Sequence, residues 1–417
     1  MEPKDSTARD IFGLNDGFVT DANEAVFFKL IRSESDLRTE DPNSLNDTKV
    51  FHPAMCHQIF GEEEKIYGYK NLKISIYYTA AHLNIYVGVK HDETASTCSP
   101  PNIEKVIFEK YETSYTTNLD EYEKNLDKEK SFKPPGTMLK SFKLEGHDTT
   151  SSFEIYHCTT QTPEWMDYHS RLQTLILWFI DAASYIQADD HWRFFVLYEK
   201  YISPVSKETQ YAFVGYTTVY EYYAYPANIR PRISQMLILP PFQKMGLGAV
   251  LLNSIHEHYS TVKEVLDITV EDPSTDFQYT RDFVDCCQCK KLPSFTKEKL
   301  MGRFSDDMAN EARENFKINK KQARRVYEIL RLYYTNRNNE EEFTGYRLCV
   351  KKRLNALFQR EVFVCKFFSQ LSGIDDEKRK TKLRTMFHQL LEDYSVVVER
   401  LKDLIKFDVL PAGNFRK

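Results

Sequence analysis

The stretch "QMLILPPFQKMGLGAVLL", Gln235 to Leu252, constrains the fold of this chain more than any other. An apolar run, Met236 to Leu239, ends at Pro240 and Pro241; Gly246 and Gly248 then lead into an apolar run at helical spacing. The segment reads as strand, glycine loop, helix. Successive backbone N–H groups at a helix start form a cup for anions, and glycine admits backbone conformations closed to other residues. Two phosphate loops fail on spacing. A Walker A loop needs Lys-Ser or Lys-Thr after its second glycine, and none follows Gly248. A dinucleotide fingerprint needs a third glycine where Leu251 stands, and a βαβ setting where the preceding strands read as antiparallel. The pattern Q/R-x-x-G-x-G/A at a strand-to-helix turn is met in full by Gln243, Lys244, Met245, Gly246, Leu247 and Gly248, with Ala249 following.

The rest of the chain sets the frame for that loop. Its 417 residues suffice for two or three domains, and 41% hydrophobic with 28% charged residues is a globular balance. A net charge of −5 excludes a general polyanion binder, while a local acidic patch for a basic partner stays open. The polar start "MEPKDSTARD" has no apolar core of a signal peptide, and the longest apolar run, around Leu175 to Ile186, is interrupted by Asp181. The expectation is an intracellular, soluble protein with no membrane contact, whose eight cysteines are reduced thiols. Cys286 and Cys289 form a C-x-x-C without the further ligands a zinc site needs, so no metal is expected.

The spacing predicts a loosely ordered N-terminus over 1–22, a small, mostly β domain over 23–135, an α+β domain with a mixed sheet over 136–292, and a helical domain over 293–417. Stretches such as "LKISIYYTA" and "LNIYVGVK" within 24–90 read as antiparallel strands, and "FKPPGT" as a break. Residues of about 164–186 read as one helix. Leu383, Phe387, Leu390, Tyr394, Val397, Leu401 and Leu404 form a heptad stripe, which suits a helix packed on its own domain or an intermolecular coiled coil. The basic stretch "KINKKQARR" has no interleaved aromatics and reads as a solvated helix face rather than a nucleic-acid site.

With a strand before it, an amphipathic helix after it and the acid-ended strand "VLDITVE" next, the glycine loop resembles the acyl-CoA pyrophosphate loop of the GNAT fold, the superfamily of N-acetyltransferases. The likeness is closer than the superfamily. "HQIFGEEEKIYGYK", "LQTLILWFIDAASYI", "RPRISQMLILPPFQ", "LDITVEDPS" and "NKKQARRVYEILRL" resemble the catalytic-subunit family of type B histone acetyltransferases. Lys244, Met245 and the doubled proline depart from that family, and the heptad tail matches it least.

The resemblance implies transfer of acetyl from acetyl-CoA to lysines in the tail of newly made histone H-four. A free lysine ammonium, with a pKa of about 10.4, must lose a proton before it attacks. The resemblance gives that task to Glu271; because a carboxylate of pKa about 4.3 is a weak base, a partly desolvated site that raises it is expected, with Asp181 and Asp272 either helpers in the same acidic cluster or surface charges. It implies that Met236, Leu237 and Ile238 offer backbone groups to the cofactor beside the loop Gln243–Ala249. Ser274 either caps the following helix or touches the cofactor. Glu62, Glu63 and Glu64 read as a solvated loop from the residues alone; the resemblance places them on the substrate groove, with Tyr220, Glu221 and Tyr222. It also implies a WD-repeat histone chaperone as partner, and residence in nucleus and cytoplasm. Two other readings stand beside it: an acetyltransferase for small amines or other proteins, and a non-catalytic histone-binding scaffold, which the intact loop and Glu271 oppose.

Overall fold

The computed structural model describes residues 16–38, 50–96, 99–145, 150–203, 206–368 and 376–407. Most of the expected loose N-terminus, residues 1–15, lies outside them; from Asp16 the chain is already built into a 3-10 turn, a short strand Val19–Asp21 and the helical turn Ala22–Ala25. Where the sequence divides into four segments, packing groups the chain into two units, Met1–Glu221 with Ile233–Leu247, and Tyr222–Arg232 with Gly248–Lys417. No described helix is long and apolar enough to cross a membrane.

The first unit opens with a four-stranded sheet. Its strands are β1 (Val26–Ile31), β2 (Val50–Phe51), β3 (Lys73–Thr79) and β4 (Ile85–Lys90), in the order β2-β1-β3-β4. The two quoted stretches, β3 and β4, pair antiparallel as expected, Ile74 facing Val89, but β1 pairs with β3 in parallel, Val26 facing Ile74 and Ile31 facing Thr79. A parallel pair needs a long return crossover, and the 41 residues from Arg32 to Leu72 supply it. Alternation alone does not reveal strand sense.

The first unit continues with β5 (Thr137–Glu145) and β6 (Thr150–Thr159). The break before β5 needs its glycine: Gly136 has φ +89°, and a Cβ there would collide with His157 O and Cys158 Sγ. Then come helix α1 (Trp165–Phe179), β7 (Trp192–Ile202), β8 (Thr209–Ala224) and β9 (Asn228–Ile238). β5 to β8 pair in sequence, all antiparallel. Ile233–Ile238 runs beside β8, where Leu239 N–H donates to Val214 O at 2.9 Å. Ten of the fifteen residues of α1 are buried, because the helix is covered on two sides. Trp178 meets Phe28 of β1 at 5.4 Å, while Trp165 meets Phe194 of β7 at 5.0 Å. Each such buried aromatic contributes about 1.5–3 kcal/mol. His169 lies in the same layer, and burial pulls it down to about 3, so it is a neutral core residue.

Helix α1 ends at Phe179 rather than near 186. The reason is tertiary. Ala54 and Met55 N–H groups donate to Trp178 O, and the Gln58 amide donates to Leu177 O and Ile180 O, both at 2.9 Å. These donors satisfy the terminal carbonyls that a further turn would otherwise use. Asp181 is thereby placed just past a helix end, on a loop.

In the second unit, α2 (Leu247–Ser260) leads to the short strand β10 (Thr269–Val270). Ile229 and Val265 form a parallel bridge, and Thr269 Oγ1 donates to Pro231 O at 3.3 Å, so this segment runs along the Asn228–Arg232 limb of β9. Parallel and antiparallel pairings together make the α+β, mixed-sheet architecture that the sequence predicts. Helices α3 (Thr275–Cys289), α4 (Asp306–Phe316), α5 (Lys320–Tyr334), α6 (Glu340–Phe368) and α7 (Asp376–Phe407) follow. The stripe on α7 faces its own unit: Phe387, Tyr394, Val397 and Leu401 are buried, and the Leu404 side chain lies outside the described residues.

Two buried carboxylates tie these helices. Glu328 accepts from Arg353 at 2.6 and 2.7 Å and from Tyr394 at 3.1 Å. Asp282 accepts from Arg325 at 2.6 Å and Gln322 at 2.9 Å. Burial pushes the Asp282 carboxyl up, and Arg325 opposes it. The basic stretch is therefore not simply a solvated face: Arg324 and Arg325 spend their charge on buried acids, because a buried carboxylate without a cation is costly. Cys286 and Cys289 are buried in α3, and burial pushes both thiols up.

Candidate active site

The glycine loop forms where β9 meets two prolines. Pro240–Phe242 is a 3-10 turn, closed by the Phe242 N–H to Leu239 O at 2.9 Å. Gln243 then reaches back, its amide donating to Ile238 O at 2.8 Å. The motif's glutamine thus fixes the loop to the strand end, and it occupies one carbonyl expected to face the cofactor. Lys244 and Gly246 take left-handed backbone conformations, φ +61° and +79°. A lysine tolerates that at some cost, whereas glycine adopts it with no steric penalty. A Cβ on Gly246 would meet nothing within 4 Å, so the glycine serves backbone conformation and leaves the space beside it open. Helix α2 starts at Leu247, so the N–H groups of Leu247, Gly248 and Ala249 have no intrahelical acceptor. Met245 is exposed; Met236 and Ile238 are half-buried, and Leu237 is buried. A left-handed glycine, free helix-start N–H groups and open space fit the pyrophosphate of acetyl-CoA.

Glu271 stands one residue past β10, and Arg232 Nη2 lies 3.7 Å from its Oε1. Its side chain is 42% exposed, more open than the partly desolvated setting that the sequence reading expects. The same guanidinium lies 5.9 Å from the ring centre of Tyr222, so Arg232 gathers Glu271 and Tyr222. Asp272 follows with φ +29°, a conformation uncommon for a residue with a side chain. Ser274 is the N-cap of α3, its Oγ accepting from Phe277 N–H at 3.2 Å.

The three adjacent glutamates have three fates. Glu62 and Glu63 sit at the exposed tip of a turn that opens at Gly61, φ +87°. Glu63 accepts from the Tyr67 hydroxyl at 2.5 Å; burial and this carboxylate push the phenol up to about 12. Glu64 turns inward with φ +52°. Its Oε1 accepts from Cys56 N–H at 2.5 Å and His57 N–H at 2.9 Å, and its Oε2 from the Asn23 amide at 2.8 Å. These bonds, Cys56 first, hold its carboxyl below the usual range. Glu64 thus does for the turn His57–Phe60 what an N-cap side chain does, as Cys56 offers none. Asp181 meets this cluster through His57, whose Nε2 lies 3.1 Å from Asp181 Oδ1.

Tyr220 lies opposite Trp192 in the β7–β8 register, the rings 4.9 Å apart edge to face, and its hydroxyl donates to Asp189 at 3.3 Å. The backbone and ring of His191 hold Asp189 below the usual carboxylate range. Glu221 is held by Arg193 at 2.7 Å. Sequence reasoning misses Arg232, His57, Trp192 and Arg193. All four stand inside or beside the stretches singled out, but nothing in local spacing says which carboxylate each one meets.

Residues 18–181 match the family described as "Histone acetyl transferase HAT1 N-terminus", and residues 281–332 match "Histone acetyltransferase type B catalytic subunit, C-terminal". The chain is 40% identical over 396 residues to the histone acetyltransferase type B catalytic subunit of Mus musculus, covering 91% of this chain and 93% of that one. It is 40% identical over 398 residues to the protein of that name from Homo sapiens, covering 91% and 92%. An aminoglycoside acetyltransferase from a soil metagenomic sample, solved with sisomicin, is similar over 31% of this chain and 84% of that one. Its 16% identity and TM-score of 0.22 carry no argument.

Proposed function

The chain belongs to the family of type B histone acetyltransferase catalytic subunits, so it is a histone acetyltransferase that uses acetyl-CoA, and we propose that its acceptors are lysines in the N-terminal tail of free, newly made H-four, with Glu271 as general base. Acetyl-CoA, when bound, supplies the activated acetyl group. The backbone cup from Gln243 to Ala249 holds its pyrophosphate, and the end of β9, from Met236 to Ile238, lies along its arm. Glu271 takes the proton that the acceptor ammonium must shed, directly or through a water, and Asp181 and Asp272 assist. Glu62 and Glu63 draw the basic tail in, and Tyr220 and Tyr222 line its path.

The observation that carries the base assignment is the placement of Glu271. It stands past a strand end, ahead of a capped helix, reachable by solvent and oriented by Arg232, next to a strained Asp272. Strained backbone concentrates at working sites. Incubating the protein with acetyl-CoA and each purified core histone, then mapping the products by mass spectrometry, tests the reading. The expected product is acetyl-lysine on the H-four tail, abolished by Glu271→Gln; preferential labelling of another histone would overturn the substrate assignment. A WD-repeat histone chaperone is the proposed partner, checked by co-purification with the tagged protein. Nucleus and cytoplasm are the proposed compartments, checked by fractionation.

A further inference from the structure

We propose that His57 is a positioning residue for Asp181 and that Glu64 holds His57 in that role. The inference rests on reading Asp181 as a contributor to acetyl transfer. It starts from an unfavourable placement. Asp181 follows Ile180, the C-cap of a 15-residue helix. A helix C-terminus carries partial negative charge, which disfavours a carboxylate there. Among the described residues Asp181 pairs with His57 alone, at 3.1 Å, while its own side chain is 75% exposed. The carboxylate is therefore held on one side and open on the other.

The holder is itself held. Residues 54 to 58 grip the end of α1, through the N–H groups of Ala54 and Met55 on Trp178 O and the Gln58 amide on Leu177 O and Ile180 O. His57 lies inside that grip, so its backbone is anchored beside the helix end that precedes Asp181. Glu64 then accepts from the N–H groups of Cys56 and His57, and its Oε1 lies 3.7 Å from His57 Nδ1. Nε2 of the ring thus faces Asp181 and Nδ1 faces Glu64, so the imidazole stands between two carboxylates. The acidic loop and Asp181 thus belong to one connected unit, and the third glutamate acts through His57 rather than on the acceptor.

The test compares His57→Ala, His57→Gln, Asp181→Asn and the His57→Ala/Asp181→Asn pair, in steady-state kinetics on the H-four tail peptide, with melting and acetyl-CoA titration on each. Asp181→Asn and His57→Ala should each lower kcat about tenfold, as misplacement of a positioned group does, with acetyl-CoA affinity kept. The pair should be no slower than Asp181→Asn alone, since groups that act as one unit do not add. His57→Gln, which keeps an N–H donor, should recover kcat to within about threefold of the parent. Three results overturn the proposal while leaving Asp181 in its role: a His57→Ala enzyme at the parental rate beside a slow Asp181→Asn, a full multiplicative loss in the pair, or a folded His57→Gln as slow as His57→Ala. A parental rate for Asp181→Asn instead sinks the reading of Asp181 itself, and this proposal with it.

Discussion

The glycine loop and the acidic loop are both short turns rich in one residue type, yet they work by opposite means. In Gln243–Gly248 the groups that matter are backbone N–H donors, and residue type acts by permitting a conformation, as at Gly246 with φ +79°. In Glu62–Glu64 the groups that matter are side chains, and three identical residues do three things. Glu62 is exposed at the tip, Glu63 takes a tyrosine hydroxyl, and Glu64 is an internal brace with three hydrogen bonds. A site made of backbone is a property of local sequence. A site made of side chains depends on which distant group each one meets.

Variants can break that contrast or sharpen it. The largest effect should come from the side chain assigned as general base. Glu271→Gln should lower kcat by about 10²- to 10⁴-fold, the usual worth of a general base, with the acetyl-CoA dissociation constant nearly unchanged by calorimetry. Turnover within about threefold of the parent would move the proton to Asp181 or Asp272. Next comes the backbone cup. Gly248→Val should weaken acetyl-CoA binding about tenfold or more, a loss of about 1.4 kcal/mol, while Lys244→Ala changes it little. Equal losses in the two would show that the loop binds through side chains after all.

The acidic loop should split. Glu64→Ala strands donors that now bond a carboxylate, costing roughly 1.5–3 kcal/mol and lowering Tm in a calorimetric scan. Glu62→Gln with Glu63→Gln should leave Tm alone and raise KM for the tail peptide, with kcat at saturation kept. That rise should fade as salt increases, because exposed charges are screened over about 8 Å at physiological ionic strength. Identical behaviour of the inner and outer glutamates would erase the distinction. The smallest effect concerns acid. Glu64 is held below its ordinary carboxylate range when folded, so its brace is fully present above about pH 4.3 and is lost as pH falls through the depressed folded value. Melting curves from pH 6 downward should therefore converge for Glu64→Ala and the parent at the acid end.

Much of the fold is legible in the chain because its causes are local. Ser274 three residues before Phe277 forms the expected cap, and the step of four and three from Phe387 to Leu401 gives the buried face of α7. The stripe could not say what it packs against, since the heptad of a coiled coil and that of a docked helix are the same pattern. Tyr394 settles the matter by reaching Glu328, and Arg400 by stacking over Phe283 at 3.9 Å. The parallel pairing of β1 with β3 and the early end of α1 escape sequence reading for a similar reason. Both depend on residues dozens or more positions away.

By itself the sequence determined the strand, glycine loop and helix at Gln235–Leu252, the acid after the next strand, and the family. Each is written in spacing, in glycine's backbone freedom or in residues matched one by one. Tertiary structure alone decided that Arg232 stands by Glu271, that Glu221 answers to Arg193, and that Glu64 and Asp181 share His57. The physical reason is that charge is long-ranged but not addressed. A carboxylate pairs with whichever cation or N–H the fold brings within a few ångströms, and no local pattern names it.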